Sequence, residues 1–349
     1  AIRSDNELVD FLSGKAAQYH LSNPKKNFAD IQRNIEERIL KDPLKKPLKI
    51  HCNYPKQRVV MAIIEAVLNM EGNRKRVMDQ IGEMVINSTE IDGVTGEKGL
   101  PGYASYTIGA LADFLGLFDR VDNTFLPALF IKFPVLKETW RFFIDTWCLQ
   151  SYYPTAGDAL WFAAKAPVYR GMGMELRGGF SLGTSPFYFL WCLYKITGDV
   201  AYVQALLSAT DGKTDNLPYD FFAENPSSIK REIEKVISNH GTEIKLRSVK
   251  KEKWGLMILR SGNGKNARAL WMDFDSGGMH AHKDGLNLGL FAYGLDLLPD
   301  FGYPQVQYGG WSSPRALWYT MTAAHNTVTI DGRDQHGLQF GSAPISGRV

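Results

Sequence analysis

Two histidines separated by one alanine, His280 and His282, open the stretch "MHAHKDGLNLGLFAYGLDLLPDFGYP", residues 279–304, and Asp300 stands near its end. If residues 280–282 are extended, positions i and i+2 point to one face, and both imidazoles look into the same space. His325 follows, also beside acidic residues, within "TMTAAHNTVTIDGRDQ". Zinc takes imidazole nitrogens and carboxylate oxygens in tetrahedral array, and His282, Asp300 and His325 brought together from separate strands would supply three ligands. A polar strand end with hydrogen-bonded histidines fits the same spacing, so the residues alone leave both readings open.

The elements that must carry these residues change character along the chain. With 349 residues and 44% hydrophobic content, the sequence is long enough for two folding units. Helical periodicity dominates to about residue 210, in "PKQRVVMAIIEAVLNMEGN", "YTIGALADFLGLFD", "LKETWRFFIDTWCLQSYY" and "SPFYFLWCLYKITGD", the last ending at Gly198. After about residue 243 the period becomes two: "TEIKLRSV", "WGLMILRS" and "ARALWMDFD" alternate, with turn signals between them. We therefore expect an α+β chain with a helical domain over 1–240 and an antiparallel β-sandwich domain over 241–349, the latter incomplete because a handful of strands does not close a large sandwich.

Charge excludes some partners. Lys plus Arg number 40 against 37 for Asp plus Glu, a net +3, which gives no broad basic field for nucleic acid. No apolar run reaches the roughly 18 to 20 residues that a membrane span needs. The three cysteines, Cys52, Cys148 and Cys192, show no CxxC pairing and read as small buried hydrophobes. The beginning "AIRSDNELVD" has neither Met nor signal-peptide character, and the end "GLQFGSAPISGRV" lacks a tail signature, so a piece open at both ends is expected.

Taken together, "HAHKDGLNLGLFAYG", "DLLPDFGYP" and "TMTAAHNTVTIDGRDQ" resemble the heparinase II/III-like polysaccharide lyases, in order and spacing over residues 279–335. The resemblance implies an (α/α) toroid before the β-sandwich, and β-elimination on a uronate-containing acidic polysaccharide. That reaction needs a neutraliser for the carboxylate, a base for the C5 proton and an acid for the leaving oxygen. His280 matches the family's catalytic histidine; His282, Asp300 and His325 match residues that bind zinc in many members. An imidazole bound to a metal has given up its lone pair, so the free His280 is the better proton carrier, and the zinc would organise the site. The resemblance also implies a periplasmic or secreted protein.

For the tyrosine, "CLQSYYPTAGDALW" is similar to the family's tyrosine-bearing stretch, which selects Tyr153, with Tyr152 next, and Arg170, Arg177 or Lys165 as nearby positive charge. Asp158 reads equally as a helix cap or a substrate contact. Members usually place an asparagine or histidine as the neutraliser; "DGVTGEKGLPGYASY" has none, leaving Lys98 by charge and Tyr103 or Tyr106 by hydrogen bonding as substrate-binding candidates. "YGGWSSPRALWYTMT" adds Arg315, Trp318 and Tyr319, since arginine forks bind carboxylates and aromatic planes stack on sugars. Two rivals stay open: a non-catalytic acidic-glycan-binding member, and a zinc-dependent glycan hydrolase.

Overall fold

The computed structural model describes residues 6–52, 54–172, 182–219, 225–274 and 278–335. The chain divides into two compact units, Ala1–Glu83 and Met84–Val349.

The first unit holds α1 (Asn6–Gln18), α2 (Phe28–Asn34), a π-helical turn (Ile35–Leu40), α3 (Lys41–Lys45) and most of α4 (Lys56–Thr89). Asn27 caps α2 by accepting from the Asp30 backbone N–H at 3.0 Å. A break at Asn69 (φ −166°, ψ 90°) interrupts α4. The Asn69 side chain accepts from Gly72 N–H at 3.0 Å, so the helix restarts on a fresh cap.

In the second unit, α5 (Tyr103–Asp119), α6 (Phe125–Lys132), α7 (Leu136–Asp145), α8 (Thr184–Thr197), α9 (Ala201–Leu207) and α10 (Pro226–His240) precede the sheet. Gly198 ends α8 in the left-handed conformation, as the sequence predicts, with its N–H donated to Tyr194 O at 2.8 Å. Leu111 and Leu115 of α5, Trp140 of α7 and Phe189 of α8 are buried, and the Trp140 and Phe189 rings meet edge-on at 4.5 Å.

Five antiparallel strands follow in sequential order: β1 (Val249–Lys251), β2 (Leu256–Ser261), β3 (Arg268–Asp273), β4 (Asn287–Ala292) and β5 (Leu295–Asp296). Alternation sorts them into two faces. Leu256, Ile258, Ala269, Trp271 and Phe291 are buried on one side, while Leu259, Leu270 and Leu288 on the other remain partly exposed. Gly289 sits opposite Trp271, and a Cβ there would lie 2.1 Å from the indole nitrogen; glycine makes the room that the tryptophan fills. Helix α7 anchors the sheet through Lys251 Nζ to Asp145 Oδ2 at 2.9 Å and through Phe142 against Trp254.

The expected α+β class is what is found, a helical part followed by an antiparallel sheet whose outer face is apolar, as one leaf of a sandwich would be. Two local expectations fail. Of "TEIKLRSV" only Val249 enters a strand. Residues 279–286 are not a strand either: β4 begins at Asn287, and His280 has φ +58°, in the left-handed region.

Candidate functional site

A shared carboxylate, rather than strand periodicity, brings the two histidines to one place. Asp158 Oδ2 lies 2.9 Å from His280 Nδ1, and Oδ1 lies 2.9 Å from His282 Nε2. Three loops build this contact. Lys98 N–H donates to Met279 O at 2.8 Å, Gly99 N–H to Ala156 O at 3.0 Å, and Asp158 N–H to His280 O at 2.8 Å. Gly157 (φ +64°) is required at the crossing, because a Cβ there would lie 2.3 Å from His280 O.

This crossing predicts a strong effect from one methyl group. Gly157→Ala would incur roughly 1–2 kcal/mol for the left-handed backbone and would push the His280 carbonyl away. It would also strain the 2.9 Å bond from Gly157 N–H to Asp284 Oδ2. We expect a lower thermal midpoint and a weakened site together; calorimetry on the variant checks the first.

Burial pushes the Asp158 carboxyl up, but hydrogen bonds from the two imidazoles outweigh it and hold the group below the usual carboxylate range. His280 is also stacked face to face on Tyr103, with ring centroids 3.5 Å apart and planes 7° from parallel. Its Nε2 lies 3.4 Å from Glu97 Oε1. Tyr103 Oη is 3.2 Å from Tyr303 Oη. Burial first, then the Tyr303 hydroxyl and the negative charges of Asp158 and Glu97, raise the Tyr103 hydroxyl well above its usual value, so it keeps its proton.

Burial also pushes the Glu97 carboxyl up to about 7, with His280 pulling partly against it. The folded protein therefore keeps this proton between about pH 4.5 and 7, where the unfolded chain has lost it. Stability falls as pH rises through that window. Glu97→Gln should flatten this dependence, which urea midpoints at pH 5 and pH 7.5 would show.

Behind His280 lies a second cluster. His282, Asp284 and His325 each bring one potential ligand atom within 4.8 Å of the others. His282 Nδ1 and His325 Nε2 are buried with no partner in good hydrogen-bond geometry, although the Tyr319 backbone lies near enough to the His325 ring to add to the effect of Asp300. Asp300 stands one step back: its Oδ2 meets His325 Nδ1 at 2.8 Å and accepts from Asn287 Nδ2 at 3.0 Å, while Oδ1 accepts from Gly302 N–H at 3.0 Å. Burial lowers the His325 pKa, but Asp300 outweighs it and the net direction is up. The donor set suits zinc: two bare imidazole nitrogens and a carboxylate, with Asp300 as the partner that orients His325. Asp284 falls in this group of potential ligand atoms, whereas Asp300, the carboxylate that the sequence reading selects, meets His325 through Nδ1.

The remaining candidates fall elsewhere. Tyr153 is buried, 2% exposed, and its hydroxyl accepts from the Arg170 N–H at 3.2 Å, so Arg170 is packed with it. Tyr152 stacks on Phe291 and donates to Gly294 O at 2.8 Å. It faces a groove of about 980 Å³ with Tyr293, Arg260 and Lys265, lined by none of the His280 cluster. Lys98 is buried, with Nζ 3.0 Å from Trp254 O and 3.1 Å from Asp273 Oδ1. Such an ammonium is built into the core and is not exposed to solvent. Arg315 lies over the Tyr308 ring, Trp318 is exposed, and Tyr319 is buried against Phe301. Arg177 lies outside the described residues.

Sequence reasoning missed Glu97, Asp284 and Tyr303, and left Asp158 undecided. A faint signal exists: Glu97 and Asp158 each follow a glycine in a loop, Gly96 and Gly157, where the backbone can approach a neighbour closely.

Helices followed by an antiparallel sheet, with a histidine–tyrosine–carboxylate cluster where their loops cross, define the class of fold and site. Residues 245–348 match the family described as Heparinase II/III-like, C-terminal, so the resemblance read from the histidine motifs holds. The fold is similar to solved structures of a heparinase III with methylated lysines (16% identity, TM-score 0.54, 94% of this chain and 45% of that one) and of a heparan sulfate lyase HepC mutant from Pedobacter heparinus (16%, 0.55, 93% and 44%). Another heparinase III structure gives 12% identity and a TM-score of 0.51, over 93% of this chain and 46% of that one. The chain thus spans just under half the length of these proteins. No curated protein sequence matches it. Among the described residues, no helix is long and apolar enough to cross a membrane.

Proposed function

We propose that the chain carries the catalytic site of a polysaccharide lyase acting on a uronate-containing acidic polymer, with His280 as base and Tyr103 as acid. The observation that supports this is the face contact between a tyrosine that holds its proton and an imidazole whose Nδ1 is occupied by a carboxylate. Nε2 is then the basic nitrogen. It takes the C5 proton; the C–H electrons form the C4–C5 double bond, the C4–O bond breaks, and Tyr103 gives its hydroxyl proton to the leaving oxygen. The imidazolium so formed is stabilised by Asp158. Glu97, protonated up to about pH 7, would donate to a uronate carboxylate instead of repelling it.

Zinc is the cation that His282, Asp284 and His325 would hold. It would supply positive charge that fixes the loops. The depth of the cluster, with His282 4% and Asp284 2% exposed, favours organising the site over activating water, which is the hydrolase alternative. Loading zinc should raise the thermal midpoint, by about 2.7 kcal/mol of stabilisation at one hundred times the dissociation constant. His325→Ala should abolish that shift.

Beyond His280, the Tyr103, Tyr303 and Trp311 rings form a run, with Trp311 50% exposed at its outer end, a surface on which sugar rings would stack. Long acidic polysaccharides are met outside the cytoplasm, where we place the protein. Incubation with alginate, heparan sulfate, hyaluronan, chondroitin and ulvan, followed by ultraviolet absorbance of unsaturated uronate, tests the reading. Binding without any absorbance rise across the panel would favour a glycan-binding protein, and cleavage products lacking a double bond would favour a hydrolase.

A further inference from the structure

We propose that Asp158 is a positioning residue that holds His280 and His282 in opposite tautomers through its two carboxylate oxygens, so that the cation seat and the proton-accepting imidazole depend on one side chain. Only the use made of His280 rests on the lyase reading; the tautomers do not.

An ionised carboxylate accepts hydrogen bonds and donates none, so each ring nitrogen facing Asp158 carries its hydrogen. The neutral His280 imidazole is therefore the tautomer with its hydrogen on Nδ1, which leaves Nε2 as the lone-pair nitrogen facing Glu97 at the partly open side of the site. The neutral His282 imidazole has its hydrogen on Nε2, which leaves as its lone-pair nitrogen the buried Nδ1, an atom with no hydrogen-bond partner in a residue that clusters with Asp284 and His325. If both rings took the same tautomer, one of the two 2.9 Å contacts would lose its hydrogen. The carboxylate is also held in place on both sides. Its own N–H is bonded to His280 O at 2.8 Å, and the preceding Gly157 N–H to Asp284 Oδ2 at 2.9 Å. With a side chain only 6% exposed, Asp158 has little room to swing toward one imidazole and release the other.

A cation on His282 Nδ1 requires the hydrogen to stay on Nε2. That hydrogen points at Asp158 Oδ1, which keeps Oδ2 directed at His280 Nδ1. Cation binding at the rear cluster thus selects the tautomer of His280 without touching it.

The test uses the full chain with 15N-labelled histidine and long-range proton–nitrogen correlation spectra, assigned with His280→Gln and His282→Gln. In the parent, His280 should show a bare Nε2 and His282 a bare Nδ1, and zinc should sharpen the pattern. Asp158→Asn replaces one oxygen by an amide donor, so one ring must turn its bare nitrogen inward. We expect a changed tautomer at position 280 or 282 and a 10- to 100-fold loss in zinc affinity. Asp158→Glu, which keeps both oxygens, should keep both tautomers and shows that the loop tolerates substitution. Two rings of the same tautomer in the parent, or unchanged rings in Asp158→Asn, would overturn the proposal. Tautomers as described in a protein that cleaves no glycan would remove the lyase reading alone.

Discussion

Tyr103→Phe will lower the turnover of uronate polymer by roughly 10²- to 10⁴-fold, the usual contribution of a positioned proton donor, with little change in thermal stability. The phenylalanine ring keeps the 3.5 Å stack on His280 and loses only the hydroxyl, whose partner in the structure is the Tyr303 hydroxyl at 3.2 Å. The variant therefore isolates proton donation from packing. His280→Ala should lose as much activity, but it also removes the ring on which Tyr103 rests. Tyr153→Phe is the decisive contrast. It deletes a buried hydroxyl that accepts one backbone hydrogen bond, which costs about 1 kcal/mol of stability, and it should leave kcat within about two-fold, since a neutral change of that size away from the reacting atoms removes no transition-state contact. Ultraviolet absorbance of unsaturated product for the three variants, with melting curves alongside, gives the answer. Full activity in Tyr103→Phe and loss in Tyr153→Phe would return the acid to the position that the sequence selects.

The difference between those two tyrosines shows what the sequence holds and what it does not. Periodicity marks α5, α8, β2 and β3 well, because each buries one face and Gly198 stops α8 as a left-handed residue must. Histidines are few, so His280, His282 and His325 stand out by type. Tyrosines number 15, and nothing in their spacing says which ring will stack on an imidazole nearly 180 residues away. Tyr103 acquires its place from three crossing loops at residues 96–103, 156–158 and 278–282, joined by backbone hydrogen bonds that no local pattern encodes. Asp284 and Asp300 illustrate the same limit. Both are buried carboxylates beside His325, and residue type does not separate the one that clusters with His282 and His325 from the one that meets His325 Nδ1.

Lys98→Met will destabilise the second unit by about 3–5 kcal/mol, the cost of leaving one member of a buried ion pair without its partner. Lys98 and Asp273 side chains are each 1% exposed, and Nζ also lies 3.9 Å from the Trp254 ring centroid, so methionine fills the volume but takes the ammonium away from a buried carboxylate. At roughly 2–4 °C per kcal/mol for a unit of this size, the thermal midpoint should fall by roughly 6–20 °C. Adding Asp273→Asn removes the buried negative charge as well and should recover much of the loss, because the two positions act as one interaction. The pair matters to the site through the chain: Lys98 N–H is bonded to Met279 O, and Glu97 is the next residue, so the buried ammonium fixes the loop that presents Glu97 to His280. In an enzyme melting well above the assay temperature, Lys98→Met should therefore reduce kcat more than it raises KM. An unchanged melting point combined with a large rise in KM would mean that the ammonium meets substrate after all, as its charge in a glycine-rich loop suggests from sequence.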